Sequence, residues 1–308
     1  VSPRVTRCYL AVPAHRRRMV EGAARSAADA VFLDLEDAVP PGAKDEALAG
    51  ALAALDELDW GRKLVAVRIN NVTGELAARE VAALAGPKRL DSLIVPKTEN
   101  AAQLALVAGW LADRDPEGRI GIEALIETAA GVLRADEIAA SGGRLAALQF
   151  GVGDFAASIG ARSAEIGESP AGYALLSREA EGQYARSALD LWTYPMMRLL
   201  VAGRAHGLRV IDGPCGAFKD LTLTAAWAAK AAAMGFDGKQ AIHPGQIGPI
   251  QAAFMPGAAE VDFARRVVAA MRAAEGSGRG AVSVDGKMID YANLRMAERI
   301  LGLAEVEG

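Results

Sequence analysis

Three carboxylates stand within four residues at Asp34-Leu35-Glu36-Asp37. Like charges this close repel one another, and taking them out of water is costly. Folding alone has little use for such a group. One reading is an acid-rich helix start, because carboxylates favour the positive end of a helix dipole. The other is a site for a metal ion or its bound water. Two further acids follow strongly apolar stretches: Glu127 after Ala-Leu-Ile, and Asp154 after Phe150-Gly-Val-Gly. Either alone could be a helix-capping partner. Together with the acids near residue 36 they suit Mg2+, with Mn2+ as a substitute. Such a hard cation takes one or two carboxylates and fills its remaining positions with water and substrate oxygens. The histidines (His15, His206, His243) do not cluster and neither Cys8 nor Cys215 joins them, which speaks against zinc.

Basic residues complete the set. Arg68 lies in Val-Arg-Ile-Asn, an apolar strand context. A guanidinium there is always charged and must meet an anion, which it can grip with two parallel hydrogen bonds. That anion is either a strand-end acid or a substrate carboxylate or developing oxyanion. Lys97 ends Ile-Val-Pro-Lys and is a conceivable Schiff-base nucleophile. The dense carboxylates would keep its amine protonated, which disfavours that chemistry. The run Arg16-Arg17-Arg18 is either a solvated helix start or an anion site. Asp290, in Gly-Lys-Met-Ile-Asp-Tyr, opens the last helical stretch, where N-capping explains it without any further role.

These residues need elements to position them. Apolar runs predict strands at Tyr9–Val12, Ala30–Leu35, Leu64–Ile69, Ser92–Pro96, Gly121–Ile126, Ala146–Val152, Leu208–Asp212 and Gln240–His243. Helical periodicity falls between them, over Lys44–Leu58, Gly74–Leu84, Ala101–Ala112 and Arg134–Ala140. Strand and helix alternate as in parallel βαβ units. Polar residues recur at the C-terminal ends of nearly all the strands: Asp34, Glu36, Asp37, Arg68, Asn70, Lys97, Glu127, Asp154, Asp212 and His243. A closed (β/α)8 TIM barrel gathers such ends at one mouth, whereas an open sheet spreads them along an edge. No GxGxxG follows the first strand, so a dinucleotide fold is disfavoured. The stretch Gly160–Tyr173 reads as a long loop, followed by one long helix, Leu175–His206, interrupted near Tyr194-Pro195. We place the catalytic barrel at 1–257 and an appended extension at 258–308. The extension comprises a helix (Val261–Glu275), a Gly-rich hinge (276–280), a hairpin (Ala281–Ile289) and a last helix (Tyr291–Leu303). It is read as a cap, folded over its own mouth or swapped onto a neighbouring subunit.

A chain of 308 residues is long for one average domain and ordinary for a barrel with an extension. The net charge of −4 gives no global attraction to nucleic acid. No apolar run approaches the roughly 18 residues of a membrane helix, and no signal peptide opens the sequence, so a cytoplasmic location is expected. Two cysteines in apolar surroundings make no disulfide framework and are expected to be buried and inert.

The segment RCYLAVPAHRRRMVEGAARSAADAVFLDLEDAVPPGAKDEA resembles the opening of the citrate lyase β-subunit-like enzymes of the HpcH/HpaI aldolase superfamily. Similarity continues in order through VAVRINN, LIVPK, IETAAGV, FGVGDFAASIG, VIDGP, KQAIHPGQI and VDGKMIDYANLRMAERIL, essentially the whole chain. LDWGRK and RLAALQFGVGDFAASIG lean toward the malyl-CoA, β-methylmalyl-CoA and citramalyl-CoA lyases. The resemblance implies a TIM barrel, Mg2+, a CoA thioester as substrate, a small oxo-acid partner, and a homotrimer or homohexamer. It implies Glu127 and Asp154 as the metal ligands and Arg68 as the residue that holds the oxo- or hydroxy-acid end. Glu36 and Asp37 would hold water on the metal or close the site. Asp290 matches an acid that family members deliver from a neighbouring subunit's cap. Arg16, Arg17, Lys97, His243 and Pro244 fall among the substrate and CoA contacts.

The implied reaction is reversible cleavage of a 3-hydroxyacyl-CoA, such as L-malyl-CoA, to an acyl-CoA and glyoxylate. Its alternatives are a citramalyl-CoA lyase, a citrate lyase β-subunit, a malyl-CoA thioesterase and a non-catalytic CoA-binding protein. A phosphoenolpyruvate-type metal barrel is more remote. The chain departs from its family in places. Pro13-Ala14-His15-Arg16-Arg17 replaces Pro-Gly followed by Arg-Pro, and Gly22 stands where a basic residue is common. Both bear on the CoA phosphates. Cys215 and Ala217 replace a frequent aromatic and a frequent acid, which bears on the acyl pocket.

Overall fold

The computed structural model describes residues 5–163, 165–275 and 280–304. Six strands come first: β1 (Cys8–Pro13), β2 (Ala30–Asp34), β3 (Leu64–Arg68), β4 (Ser92–Val95), β5 (Gly121–Ile126) and β6 (Leu145–Phe150). A hairpin of β7 (Ala174–Arg178) and β8 (Tyr184–Ala188) intervenes before β9 (Arg209–Asp212) and β10 (Gly238–Ala241). The eight strands other than the hairpin form a closed parallel barrel in the order β1-β10-β9-β6-β5-β4-β3-β2. They are the eight expected from the apolar runs, with their ends slightly moved. The fold is a (β/α)8 barrel.

The strands are buried on both faces, so they read as nearly unbroken apolar runs. All five residues of β2 are buried. Tyr9, Phe32, Ile94, Leu125 and Ile211 fill the interior beside the small Ala30 and Ala66, so that large and small side chains interleave. Gly238 opens β10 where a Cβ would overlap the Thr6 carbonyl, so the chain entering β1 can run directly against it. The outer helices include Arg17–Arg25, Lys44–Glu57, Leu76–Leu84, Ala101–Ala112, Thr193–Ala205 and Leu221–Met234. Asn100 and Gln103 start the fourth of these with a reciprocal capping box. Both cysteines are buried and free, and burial pushes the Cys8 thiol far up. Among the described residues, no helix is long and apolar enough to cross a membrane.

The long helix expected over Leu175–His206 is corrected by the structure. Its first half is the β7–β8 hairpin, closed by the Glu179 N–H bonding the Gln183 carbonyl at 2.8 Å. Leu175, Leu176 and Tyr184 are exposed there, so no buried helical face exists to enforce the 3.6-residue period. The helix starts only at Thr193, where Asp190 accepts from the Trp192 N–H and the Thr193 hydroxyl. Pro195 falls in the first turn, where its missing N–H costs no helical bond. The loop expected over Gly160–Tyr173 contains no helix or strand among its described residues.

The chain separates into two compact units, one spanning Thr6–Gln251 and one that joins the residues before Thr6 to those from Ala252 onward. The second contains the helix Ala258–Glu275, the antiparallel strands β11 (Val282–Val284) and β12 (Lys287–Ile289), and the helix Tyr291–Ala304. Its own core is built from Ala264, Val267, Met271, Val284, Ile289 and Ala297. Positions 276–279 of the expected glycine-rich hinge lie outside the described residues.

Candidate active site

Asp34 and Arg68 are register partners at the ends of the adjacent strands β2 and β3. Placed side by side, they lock into a fork: Arg68 donates from Nε and Nη2 to Asp34 Oδ1 and Oδ2 at 2.7 and 2.6 Å. Each oxygen of Asp34 takes a second bond, from the Glu36 and Ala38 backbone N–H groups, both at 2.9 Å. One buried carboxylate therefore fixes both the arginine and the acidic loop after β2. The loop backbone is held again by the Lys44 ammonium, which donates to the Leu35 and Glu36 carbonyls at 2.7 and 2.6 Å. Asn70 also donates to the Leu35 carbonyl, at 2.9 Å. Arg68 lies over the Phe32 ring, and its Nη1 approaches Glu36 Oε2 at 3.3 Å. Burial disfavours its charge, but Asp34 and Glu36 more than compensate and hold its pKa above the usual arginine value.

Lys97 follows β4 and crosses toward the same loop. Its ammonium lies 2.5 Å from Glu36 Oε1, 2.9 Å from Asp37 Oδ2 and 3.8 Å from Asp154 Oδ1. Burial alone would lower the pKa of Lys97, yet the bonds to Glu36 and Asp37 raise it. A protonated amine is a poor Schiff-base nucleophile. Burial pushes the Glu36 carboxyl up, against the opposing pull of Arg68 and Lys97. It also pushes Asp37 up, but there the Lys97 bond and charge prevail and hold it down.

Glu127, at the end of β5, is buried and accepts the Lys97 backbone N–H at Oε1, 2.8 Å away. Gly151, just past β6, leaves room for it, since a Cβ there would overlap Glu127 Oε2. Burial, reinforced by the negative charge of Asp154, pushes the Glu127 carboxyl up to about 8. Asp154 itself lies in the first turn of the helix Val152–Ser158 and is partly exposed.

The charges do not balance. Among the described residues, the five acids Asp34, Glu36, Asp37, Glu127 and Asp154 are met by Arg68 and Lys97, with the Lys44 ammonium on the carbonyls of the acidic loop as a third cation. The least compensated acids are Glu127 and Asp154, and a divalent cation held between them would cancel most of the excess. Among the described residues, no three His, Cys, Asp or Glu side chains form a metal cage. The donor set fits a hard cation that draws its remaining ligands from water and substrate.

The structure thus brings together Arg68, Glu36, Asp37, Lys97, Glu127 and Asp154. Within the unit Thr6–Gln251, the other expected contacts bond elsewhere or lie exposed. Arg17 pairs with Glu21 and Glu57. Arg16 is exposed just before the helix Arg17–Arg25. His243 accepts the Gly245 N–H at Nδ1 and stacks on Phe218 with ring centroids 5.1 Å apart, and exposed Pro244 follows it. Asp290 belongs to the second unit, where its Oδ1 caps the helix Tyr291–Ala304 through the Ala292 and Asn293 N–H groups. Asp212, a strand-end acid, is consumed by a buried 2.6 Å pair with Lys239. Sequence reasoning gave no task to Lys44 or Gly151, which carried no signal. It grouped Asp34 with the acids read as a metal or metal-water site, whereas the structure commits Asp34 to Arg68.

Residues 7–244 match the model of the HpcH/HpaI aldolase/citrate lyase family. The chain belongs to that family. Enzymes named L-malyl-CoA/beta-methylmalyl-CoA lyase are similar along nearly the whole length. That of Rhodobacter capsulatus is 37% identical, covering 98% of this chain and 96% of that protein. One from Cereibacter sphaeroides is 39% identical with the same coverage. Among solved structures, CitE from Mycobacterium tuberculosis, in complex with magnesium, acetoacetate and coenzyme A, superposes with a TM-score of 0.76. It shares 33% identity over 98% of both chains. The family is one of aldolases and lyases, and this member is an enzyme.

Proposed function

We propose that the protein is a Mg2+-dependent, reversible carbon–carbon lyase. It cleaves a 3-hydroxyacyl-CoA such as L-malyl-CoA or β-methylmalyl-CoA into an acyl-CoA and glyoxylate. The observation that carries this reading is the Asp34–Arg68 fork set beside the undercompensated pair Glu127 and Asp154. The lyase names of relatives at 37% and 39% identity support it.

In the cleavage direction a base takes the proton of the substrate hydroxyl, and the bond between C2 and C3 breaks. Its electron pair passes to the thioester as an enolate, and the hydroxyl-bearing fragment becomes the carbonyl of glyoxylate. An acid then protonates the enolate carbon. Mg2+ held by Glu127 and Asp154 would supply Lewis-acid charge to the oxo-acid oxygens. Arg68 presents Nη1 where negative charge develops, and the Asp34 fork prevents it from turning away. Glu36 and Asp37 would hold water on the metal or close the site. Asp290 acts on the enolate carbon, delivered from a neighbouring subunit of a homotrimer or homohexamer. Arg16, Arg17, His243 and Pro244 serve the CoA portion.

A second reading has its own support. The (3S)-malyl-CoA thioesterase of Cereibacter sphaeroides is 35% identical over 97% of this chain. There water would attack the thioester carbonyl and release CoA without breaking a carbon–carbon bond. Incubating the protein with Mg2+ and malyl-CoA separates the two. Glyoxylate trapped as its phenylhydrazone, and lost with EDTA or in Glu127→Ala, is the expected result. Free CoA without glyoxylate makes the protein a thioesterase.

A further inference from the structure

Lys97 adopts a backbone φ of +49°, and apart from Asp285 it is the only non-glycine residue among those described with a positive φ. A lysine pays a steric cost there that glycine would not. The turn is held on both sides: the Thr98 N–H bonds the Leu125 carbonyl at 3.0 Å, and its hydroxyl bonds back to the Val95 carbonyl at 2.8 Å. This conformation lets one residue face in two directions. The Lys97 N–H holds Glu127 Oε1, while the side chain reaches Glu36, Asp37 and the edge of Asp154. Strain kept at a functional site indicates that the side chain, and not only the turn, is needed.

We propose that Lys97 is a positioning residue that joins the two halves of the acidic mouth. Its main-chain N–H sets the buried ligand Glu127, and its ammonium anchors Glu36 and Asp37 and counter-charges Asp154. This assignment rests on the reading of Glu127 and Asp154 as metal ligands. It makes Lys97 neither a nucleophile nor a primary substrate contact.

The two tasks of the ammonium give opposite signs when it is removed. Without it the mouth is one charge more negative, so a divalent cation binds more tightly. Without it Glu36 and Asp37 also lose their shared anchor, so turnover falls. A residue that merely supports the fold would weaken both together.

The test uses the full chain and three variants, Lys97→Met, Lys97→Arg and Glu127→Gln. Mg2+ affinity is read by calorimetry without substrate, and kcat and KM by glyoxylate release. Lys97→Met should bind Mg2+ about tenfold more tightly, as expected for loss of a partly screened neighbouring charge. Its kcat should fall about 100-fold, the scale of losing a residue that orients a site, with KM for the thioester nearly unchanged. Lys97→Arg should return Mg2+ affinity to the wild-type value and recover part of kcat. Weaker Mg2+ binding together with a lower melting temperature in Lys97→Met would make the residue structural and overturn the proposal. So would an unchanged kcat, or a borohydride-reduced oxo-acid adduct on Lys97 of the wild type. Mg2+ binding that is lost in Glu127→Gln but unmoved in Lys97→Met overturns the proposal alone. No Mg2+ binding by the wild type, or none lost in Glu127→Gln, overturns the metal reading and the proposal with it.

Discussion

Two carboxylates on one stretch of chain, Glu123 and Glu127, are treated in opposite ways. Glu123 lies on β5 two residues before the core residue Leu125, and Glu127 follows two residues after it, just past the strand end, so the alternation of side chains along the chain points both the same way. Glu123, deep in the barrel, is saturated. Its Oε1 accepts from the Ser92 hydroxyl at 2.8 Å, Arg209 at 3.1 Å and the Tyr9 hydroxyl at 3.2 Å, and its Oε2 from Gln149 at 2.7 Å. Gln240 extends the network by donating to Gln149 at 2.6 Å. Glu127, one layer higher, is bonded by the Lys97 N–H and pushed by Asp154. A buried charge that serves folding is fully partnered, since an unpaired one is severely destabilising. A buried charge left undercompensated at a barrel mouth marks where a ligand completes the set.

The comparison is broken most directly by neutralising each acid in turn. Glu127→Gln should lower kcat at least about 10³-fold, because the several kcal/mol attributed to metal charge stabilisation would be lost. Its melting temperature should hold or rise, since burial and Asp154 disfavour the Glu127 carboxylate in the fold and an amide carries no such penalty. Glu123→Gln should do the reverse. It strands Arg209 and Tyr9 in the interior and should cost about 3–5 kcal/mol of stability, read by urea denaturation. Equal destabilisation in the two variants would dissolve the distinction.

Asp34 sharpens the comparison from the neighbouring strand, being both saturated and at the mouth. Asp34→Asn keeps the shape but loses the two-pronged grip on Arg68. The expected cost is about 10–100-fold in kcat/KM for the oxo-acid condensation, typical of a group that orients a ligand-binding residue. KM for the CoA thioester should barely move. A uniform loss in both substrates would assign Asp34 to folding.

How much of this was legible follows from what each feature depends on. The barrel was readable because burial on both faces writes strands as apolar runs, and because closure explains why polar residues end so many of them. Glu127, Asp154 and Arg68 stood out as charges in apolar surroundings. The fork was not readable, because it depends on the register that sets Asp34 opposite Arg68 across β2 and β3. The left-handed turn at Lys97 gave no signal, since lysine is not the residue that such a backbone favours. The β7–β8 hairpin was misread as helix because its leucines and tyrosine face solvent and carry no reliable period.

Gly151 tests whether the space around Glu127 is as tight as that around Glu123. A Cβ at 151 would overlap Glu127 Oε2 and come within 2.5 Å of its Cβ. Gly151→Ala must therefore displace the carboxylate. A cost of about 1–3 kcal/mol from overpacking is expected, with Mg2+ affinity lowered about tenfold, the low end for disturbing a ligand's support. Normal Mg2+ affinity in this variant would show that Glu127 has slack.

The smallest effect belongs to the foot of the same strand. Asp115 is buried below β5 and accepts the Ile120 N–H at 2.8 Å and Arg144 at 2.5 Å, which fixes the chain as it enters the barrel. Burial pushes its carboxyl up, but those donors prevail and hold it below the usual value of 3.8. A depressed carboxylate stabilises the fold fully above its unfolded pKa, and that share is lost as pH falls through the folded value. Asp115→Asn should cost about 1–3 kcal/mol at neutral pH, the scale of hydrogen bonds to a charged group. The difference from wild type should shrink below about pH 4 as the wild-type carboxylate protonates. Melting curves from pH 7 down to pH 3 measure it. A constant gap across that range would mean that Asp115 holds the strand by shape rather than by charge. The foot of β5 would then differ in kind from the charged interior and mouth above it.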